Sequence, residues 1–218
     1  MAADRGIKKK EGRDCPRAVL FDFGRVISAQ KPARLFEEYE RILDLPAGSF
    51  KNLFDKSPEW HDALLGRMTL DGFWEAVGPK LGLRTSEEIS RFRHRFEADE
   101  APNQAVLGLI QRLRGRCRLA VLSNSPPGLS RWLEKWGILD CFDVVFCSGE
   151  QGVVKPNPRA YLETLKRLGV EPSQAVFVDD EAVNVDAARR LGLRAVLFTD
   201  SDSLLEELEN LFQDSLAP

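Results

Sequence analysis

Three apolar runs end in side chains able to do chemistry. "AVLFD" closes on Asp22, "LAVLSN" on Ser123 and Asn124, and "AVFVDD" on the adjacent pair Asp179 and Asp180. A fourth run, "DVVFCS", leads into the loop "GEQGVVKPNP", which carries Lys155. One carboxylate at the end of a strand is ordinarily a cap for the next helix. Asp179 and Asp180 cannot both cap one helix, and capping does not call for a serine, a lysine and three aspartates at successive strand ends. Adjacent carboxylates facing Asp22 would repel strongly unless a cation sat between them. A hard cation with oxygen ligands is the natural neutraliser, and magnesium is the expected ion.

The elements that must bring these residues together follow from the apolar pattern. "AVLF", "LAVLS", "DVVFCS", "AVFVD" and "RAVLFT" are continuous rather than alternating, as strands covered on both faces should be. Helical stripes separate the later runs: Leu129, Trp132, Leu133 and Trp136 on one, Tyr161, Leu162, Leu165 and Leu168 on another that stops at Gly169, and a third that stops at Gly192. Lys155 precedes a helix that Pro156 helps to start. Alternating strand and helix predict an α/β fold with a parallel sheet and helices on both faces. In such sheets ligands bind at the carboxyl ends of the strands, where the residues above are found. The stretch between "VIS" and "LAVLS" breaks the rhythm, with several helical patterns and no strand signal. A crossover needs only about a dozen residues, so most of this stretch reads as a helical lid. The expected organisation is a basic flexible tail over 1–16, a core over 17–29 and 100–218, and a cap over 30–99. "SLLEELENLFQDSL" reads as a terminal helix docked on the surface.

Composition excludes several classes. The chain has 218 residues, 43% hydrophobic and 30% charged, with a net charge of −3. No basic face of the kind nucleic-acid binding requires is evident. The first residues carry the cluster "KKKEGR", read as a solvated tail rather than an anion-binding arm. Nothing approaches the roughly 18 apolar residues of a membrane span, and no secretory signal is visible. Cys15, Cys117, Cys141 and Cys147 show no metal spacing and suit small buried hydrophobes in a reducing cytoplasm, with a Cys141–Cys147 pairing left open.

"FDFGRV", "VLSNS", "VVKPNP" and "VFVDDEAVN" together resemble, in order, the four motifs of the haloacid dehalogenase-like (HAD) hydrolase superfamily. The resemblance spans essentially the whole chain, and the insertion is similar to that superfamily's small helical cap. "FDxGxV" with "LSN" and "DDxxxN" looks most like the branch containing glucose-1-phosphatase and the epoxide-hydrolase N-terminal phosphatase. The resemblance implies a Rossmann-like core and a magnesium-dependent phosphatase of a small phosphate ester, with a sugar phosphate one option, and neither nucleic acid nor membrane as partner. It implies that Asp22 attacks phosphorus to form an aspartyl-phosphate. Ser123, the amide after it and Asn124 would hold phosphate oxygens, and Lys155 would neutralise charge on them and on Asp22. Asp22, Asp179, Asp180 and the backbone carbonyl of Gly24 would hold Mg²⁺, with Asn184 steadying the acidic loop.

One position departs from that pattern. Phosphatases of the superfamily usually carry an acid–base aspartate two residues after the nucleophile, and Gly24 stands there. General acid–base catalysis contributes roughly 10²–10⁴-fold, so either the leaving group needs little protonation or the protein is a weak or inactive relative that binds a phosphorylated ligand or a protein. A 2-haloacid dehalogenase is the other alternative, but dehalogenases use no metal and typically lack the Asp-Asp pair. Arg25 is expected either to lie outward along the lid or to pair with an anionic group of the substrate. His61, His94, Trp60, Phe73 and Trp74 fall in the lid and are expected to be mostly structural.

Overall fold

The structure is a computed structural model and describes residues 15–212. The tail expected over 1–16 lies almost wholly outside the described residues. Five strands, β1 (Ala18–Phe21), β2 (Arg118–Ser123), β3 (Val144–Cys147), β4 (Ala175–Asp179) and β5 (Arg194–Leu197), form one parallel sheet in the order β3-β2-β1-β4-β5. The central position of β1 matters most. Phe21 pairs with Val121 on one side and Val178 on the other, so the next residue, Asp22, emerges between the tips of β2 and β4.

Strand alternation divides the core into two layers. Val19 and Phe21 face one side, with α6 (Gln104–Leu113), α7 (Ser130–Lys135) and α11 (Ser201–Phe212) packed there. Ala18 and Leu20 face the other, against α9 (Pro158–Leu168) and α10 (Ala182–Arg190). Both faces of every central strand are therefore buried, which is why the runs contain no polar alternation. The α9 stripe is narrower than its sequence suggests: Tyr161, Leu165 and Leu168 are buried, but Leu162 is exposed. The helix starts at Pro158 with Asn157 as its cap, rather than at Pro156.

Between β1 and β2 the chain builds a helical insertion: α1 (Ala33–Ile42), α2 (Ser49–Lys56), α3 (Pro58–Leu64), α4 (Leu70–Val77) and α5 (Ser86–Ala98). Ser57 and Thr69 cap α3 and α4 through their hydroxyls, and Thr85 with Glu88 forms a capping box on α5. These helices enclose their own core around Tyr39, Phe50, Phe73, Trp74 and Phe92. Two connecting segments run side by side beneath it, with Ala29 N–H donating to Ala101 C=O at 2.8 Å and Asn103 N–H to Ile27 C=O at 2.9 Å. The insertion meets the core a second time at α8 (Ser148–Gln151), where the Ser148 hydroxyl donates to Leu64 C=O at 2.7 Å. There Gly66 adopts φ +71°, and a Cβ on it would lie 2.0 Å from the Gly149 carbonyl oxygen. Only glycine permits that approach.

Candidate active site

The residues after β1 leave the sheet through a tight turn. Asp22 N–H donates to Val178 C=O at 2.8 Å, which fixes the Asp22 backbone to the neighbouring strand. Gly24 is extended, Arg25 sits in the left-handed region at φ 58°, and Ser28 closes the turn by donating its N–H to Phe23 C=O at 2.8 Å. Asp22 is thereby presented at the carboxyl edge of the sheet, almost fully buried.

Lys155 joins the acidic groups. Its Nζ donates to Asp22 Oδ1 at 2.7 Å and to Asp179 Oδ2 at 2.6 Å, with the lysine side chain buried. The lysine is set in place by Asn124, whose Oδ1 accepts from Lys155 N–H at 2.7 Å while its Nδ2 donates to Lys155 C=O at 3.0 Å. Both ends of the Asn124 amide are thus engaged in positioning Lys155. Ser123, at the tip of β2, is buried beside them. Asp179 is fully buried and further held by Asn184 Nδ2, at 3.1 and 3.2 Å from its two oxygens, and by Glu181 N–H at 2.8 Å. Tyr161, from α9, donates its hydroxyl to Asn184 C=O at 3.0 Å. The acidic loop is therefore braced from two helices.

Asp22, Asp179 and Asp180 each offer a carboxylate oxygen within 4.8 Å of the others. Three carboxylates face two cationic side chains, Lys155 and Arg25. Burial pushes the Asp22 carboxyl up to about 6; Lys155 opposes that shift, and Asp179 and Asp180 add to it. Burial likewise raises Asp180, against the pull of Arg25. Burial alone would lower the Lys155 ammonium, but Asp22 and Asp179 outweigh it and hold the lysine above its usual value. An all-oxygen donor set short of positive charge fits a hard divalent cation.

Arg25 turns toward the acidic loop. Its Nε contacts Asp180 at 2.7 Å and its Nη2 pairs with Glu181. Two nitrogens of its planar fork are thus engaged by the protein's own acids, while the side chain also borders the cleft. Glu181 was not among the expected site residues; the only sequence signal for it was its place after Asp179 and Asp180. His61 and His94 are exposed on α3 and α5. All four cysteines are free thiols, Cys141 and Cys147 included.

Between the insertion and the sheet edge lies a cavity of ≈ 630 Å³. Gly24, Ser123 and Asn124 are among the residues that line it, so it borders the strand tips that present Asp22. Trp60 and Trp74 line it while also packing in the cap core, whereas Phe73 is fully buried.

Comparison with known proteins agrees with this geometry. The profile of haloacid dehalogenase-like hydrolases matches residues 16–192. The chain is 28% identical over 197 residues to the sesquiterpene phosphatase astK of Aspergillus oryzae, covering 89% of this chain and 96% of that one. It is 28% identical over 214 residues to the bifunctional epoxide hydrolase 2 of Sus scrofa, covering 89% of this chain but 38% of that protein. A HAD-family enzyme from Bacteroides thetaiotaomicron, in complex with magnesium and inorganic phosphate, superposes with a TM-score of 0.71 at 20% identity, covering 87% of this chain and 98% of that one. Among the described residues no helix is long and apolar enough to cross a membrane.

Proposed function

Because the chain belongs to the haloacid dehalogenase-like hydrolase family, we propose that it is a magnesium-dependent phosphatase that works through an aspartyl-phosphate on Asp22. The observation that carries this reading is the Lys155 ammonium bridging Asp22 and Asp179, with Asp180 completing an oxygen cluster. The magnesium and phosphate in the Bacteroides structure, and the phosphatase activity in the name of the Aspergillus relative, support it.

Asp22, Asp179, Asp180 and the backbone carbonyl of Gly24 would hold the ion, which supplies charge neutralisation for the transferring phosphoryl group. Asp22 Oδ attacks phosphorus while the bond from phosphorus to the ester oxygen breaks in line, that oxygen taking its proton from solvent because Gly24 offers none. The Ser123 hydroxyl, the Asn124 N–H and Lys155 hold the phosphoryl oxygens, and Asn124 keeps Lys155 in register. Water then attacks the phosphorus of the aspartyl-phosphate, releasing phosphate and restoring Asp22. Positioning and electrostatics carry most of such a reaction. The carboxylate trio, two of its members buried, disfavours the dehalogenase alternative, since a haloacid anion would enter against like charge. The test is phosphate release across acyl, sugar and alkyl phosphates with and without Mg²⁺. Release that depends on the ion supports the reading, and none from any ester would refute it.

The weak-catalyst alternative rests on Gly24, and the structure offers a way to decide it. A Cβ at Gly24 would meet nothing nearer than Asp22 Oδ2 at 3.9 Å, and the backbone there is not left-handed. Gly24→Asp is expected to fit and to restore a proton donor and acceptor beside the nucleophile, raising kcat for poor leaving groups by roughly 10²–10⁴-fold. Steady-state kinetics on an alkyl phosphate, beside an acyl phosphate that needs little protonation, measure the effect; a gain confined to the alkyl ester is the expected pattern.

Arg25 sets the competition for Asp180. Arg25→Gly removes a positive charge from the acidic loop at a left-handed position that glycine accepts readily. Its pairs are partly exposed and worth up to about 1 kcal/mol each, so the Kd for Mg²⁺ should fall by about two- to fivefold. Titration calorimetry with the ion alone checks this, and a weaker affinity would contradict it.

A further inference from the structure

The ≈ 630 Å³ cavity bordering the β1 and β2 tips falls within the size range of small-molecule sites, and aromatic rings line it. Phe36, Phe54, Trp60 and Phe96 line it from α1, α2, α3 and α5, and Phe23 and Trp132 from the core side. Phe54 and Phe96 stack at 5.2 Å, and Trp60 meets the edge of Phe54 at 5.1 Å, so the cap wall is a rigid aromatic surface.

Several of the charged side chains on the same walls are already engaged. Lys31 pairs with Glu100 and lies over the Phe96 ring. Glu40 is buried and accepts from Gly48 N–H at 2.9 Å and Phe50 N–H at 3.0 Å. Glu97 pairs with Arg93 at 2.7 Å. Gln30, Glu37, Lys51 and Arg131 also line the cavity but are exposed. A sugar entering here would exchange water for ring faces at most of its hydroxyls, which is unfavourable without replacement hydrogen bonds. A hydrocarbon entering here would shed water against rings.

We propose that the alcohol carried by the phosphate is a long hydrocarbon, so that the substrate is an apolar phosphate monoester with its head on Ser123 and Lys155 and its tail along the cap aromatics, its departing oxygen taking a proton from water because Gly24 offers none. This rests on the phosphatase reading, and the experiment separates the two. With the unaltered protein and Mg²⁺, kcat/KM is measured for n-alkyl phosphates from ethyl to octyl, below micelle-forming concentrations, beside glucose 6-phosphate and acetyl phosphate. Each buried methylene is worth ~0.8 kcal/mol, or about fourfold, so kcat/KM should climb about fourfold per carbon until the cavity is filled. Glucose 6-phosphate should do no better than ethyl phosphate. In parallel, octyl phosphate binding to Asp22→Asn protein is followed by calorimetry at several temperatures, where burial of the tail gives a negative heat-capacity change.

A rising series with that calorimetric signature establishes the proposal. A flat series, or a preference for the sugar ester, overturns it while leaving the phosphatase reading intact. If no phosphate compound, acetyl phosphate included, is hydrolysed, the phosphatase reading fails, and the calorimetry still decides the pocket: octyl phosphate binding no tighter than inorganic phosphate refutes an apolar tail site.

Discussion

Asp22→Asn is expected to abolish phosphate release while leaving the protein folded. Removing the nucleophile of a covalent mechanism costs on the order of 10⁴–10⁶ in kcat, because an amide oxygen cannot form the aspartyl-phosphate. The fold should survive for reasons visible at the site. Lys155 keeps its bond to Asp179 at 2.6 Å, and asparagine retains an oxygen able to accept from the ammonium. The substitution also removes a carboxyl whose burial had raised it to about 6. In the metal-free wild type such a group binds a proton more tightly folded than unfolded. Its ionisation therefore costs the folded state stability as pH rises from about 4 to about 6. Asp22→Asn eliminates that cost, so the metal-free variant should match or exceed the wild type in chemical denaturation at pH 7. Kinetics and denaturation together check the expectation. Residual turnover within tenfold of the parent would remove Asp22 from the nucleophile's role.

Lys155→Met has the opposite stability consequence and a comparable effect on rate. The methionine fills a similar volume, but Asp22 and Asp179 lose the ammonium that bridges them in a nearly dry setting. Removing one partner of a buried ion pair typically costs 3–5 kcal/mol, since the remaining charges are left uncompensated. Without the ammonium, the Asp22 carboxyl, already raised by burial, is pushed further up. It then binds a proton still more readily folded than unfolded, so the deficit should be largest at neutral pH and shrink as pH falls toward about 5. Added Mg²⁺ should recover part of it by supplying the missing charge. Loss of a cation from a phosphoryl-transfer site costs about 10³–10⁵ in kcat. Urea denaturation at pH 5 and 7, with and without the ion, gives the stability result directly. A deficit independent of both pH and ion would mean that Lys155 serves packing alone.

How far the sequence led depended on whether a feature is local. The strand runs and the cluster at their carboxyl ends were legible because burial on both sheet faces leaves continuous apolar stretches, and because parallel topology fixes which ends gather. Asp22, Ser123, Lys155, Asp179 and Asp180 could therefore be placed near one another without coordinates. What each side chain touches was less legible. Asn124 grips both sides of the Lys155 peptide, a geometry set by the approach of two loops 31 residues apart in sequence. Arg25 turns onto Asp180 and Glu181 because its backbone enters the left-handed region, and nothing in "FGRV" announces that. Leu162 lies just off a stripe that looked four residues wide. The aromatic wall was only partly legible, through Trp60 and Trp74. Phe36, Phe54 and Phe96 follow helical spacing that suits a core, and only the packing of five short helices shows that the same rings also line a cavity.

The most direct test of the covalent account is chemical trapping during turnover. Because Gly24 supplies no side chain to activate water, breakdown of the aspartyl-phosphate should be slow enough for it to accumulate on a rapidly transferring donor such as acetyl phosphate. Quenching a reaction with Mg²⁺ and reducing with borohydride converts an aspartyl-phosphate to homoserine, which peptide mass spectrometry locates. The expected result is conversion at Asp22, dependent on both the ion and the donor. Phosphate release proceeding while Asp22 is recovered unmodified at every quench time would contradict the account.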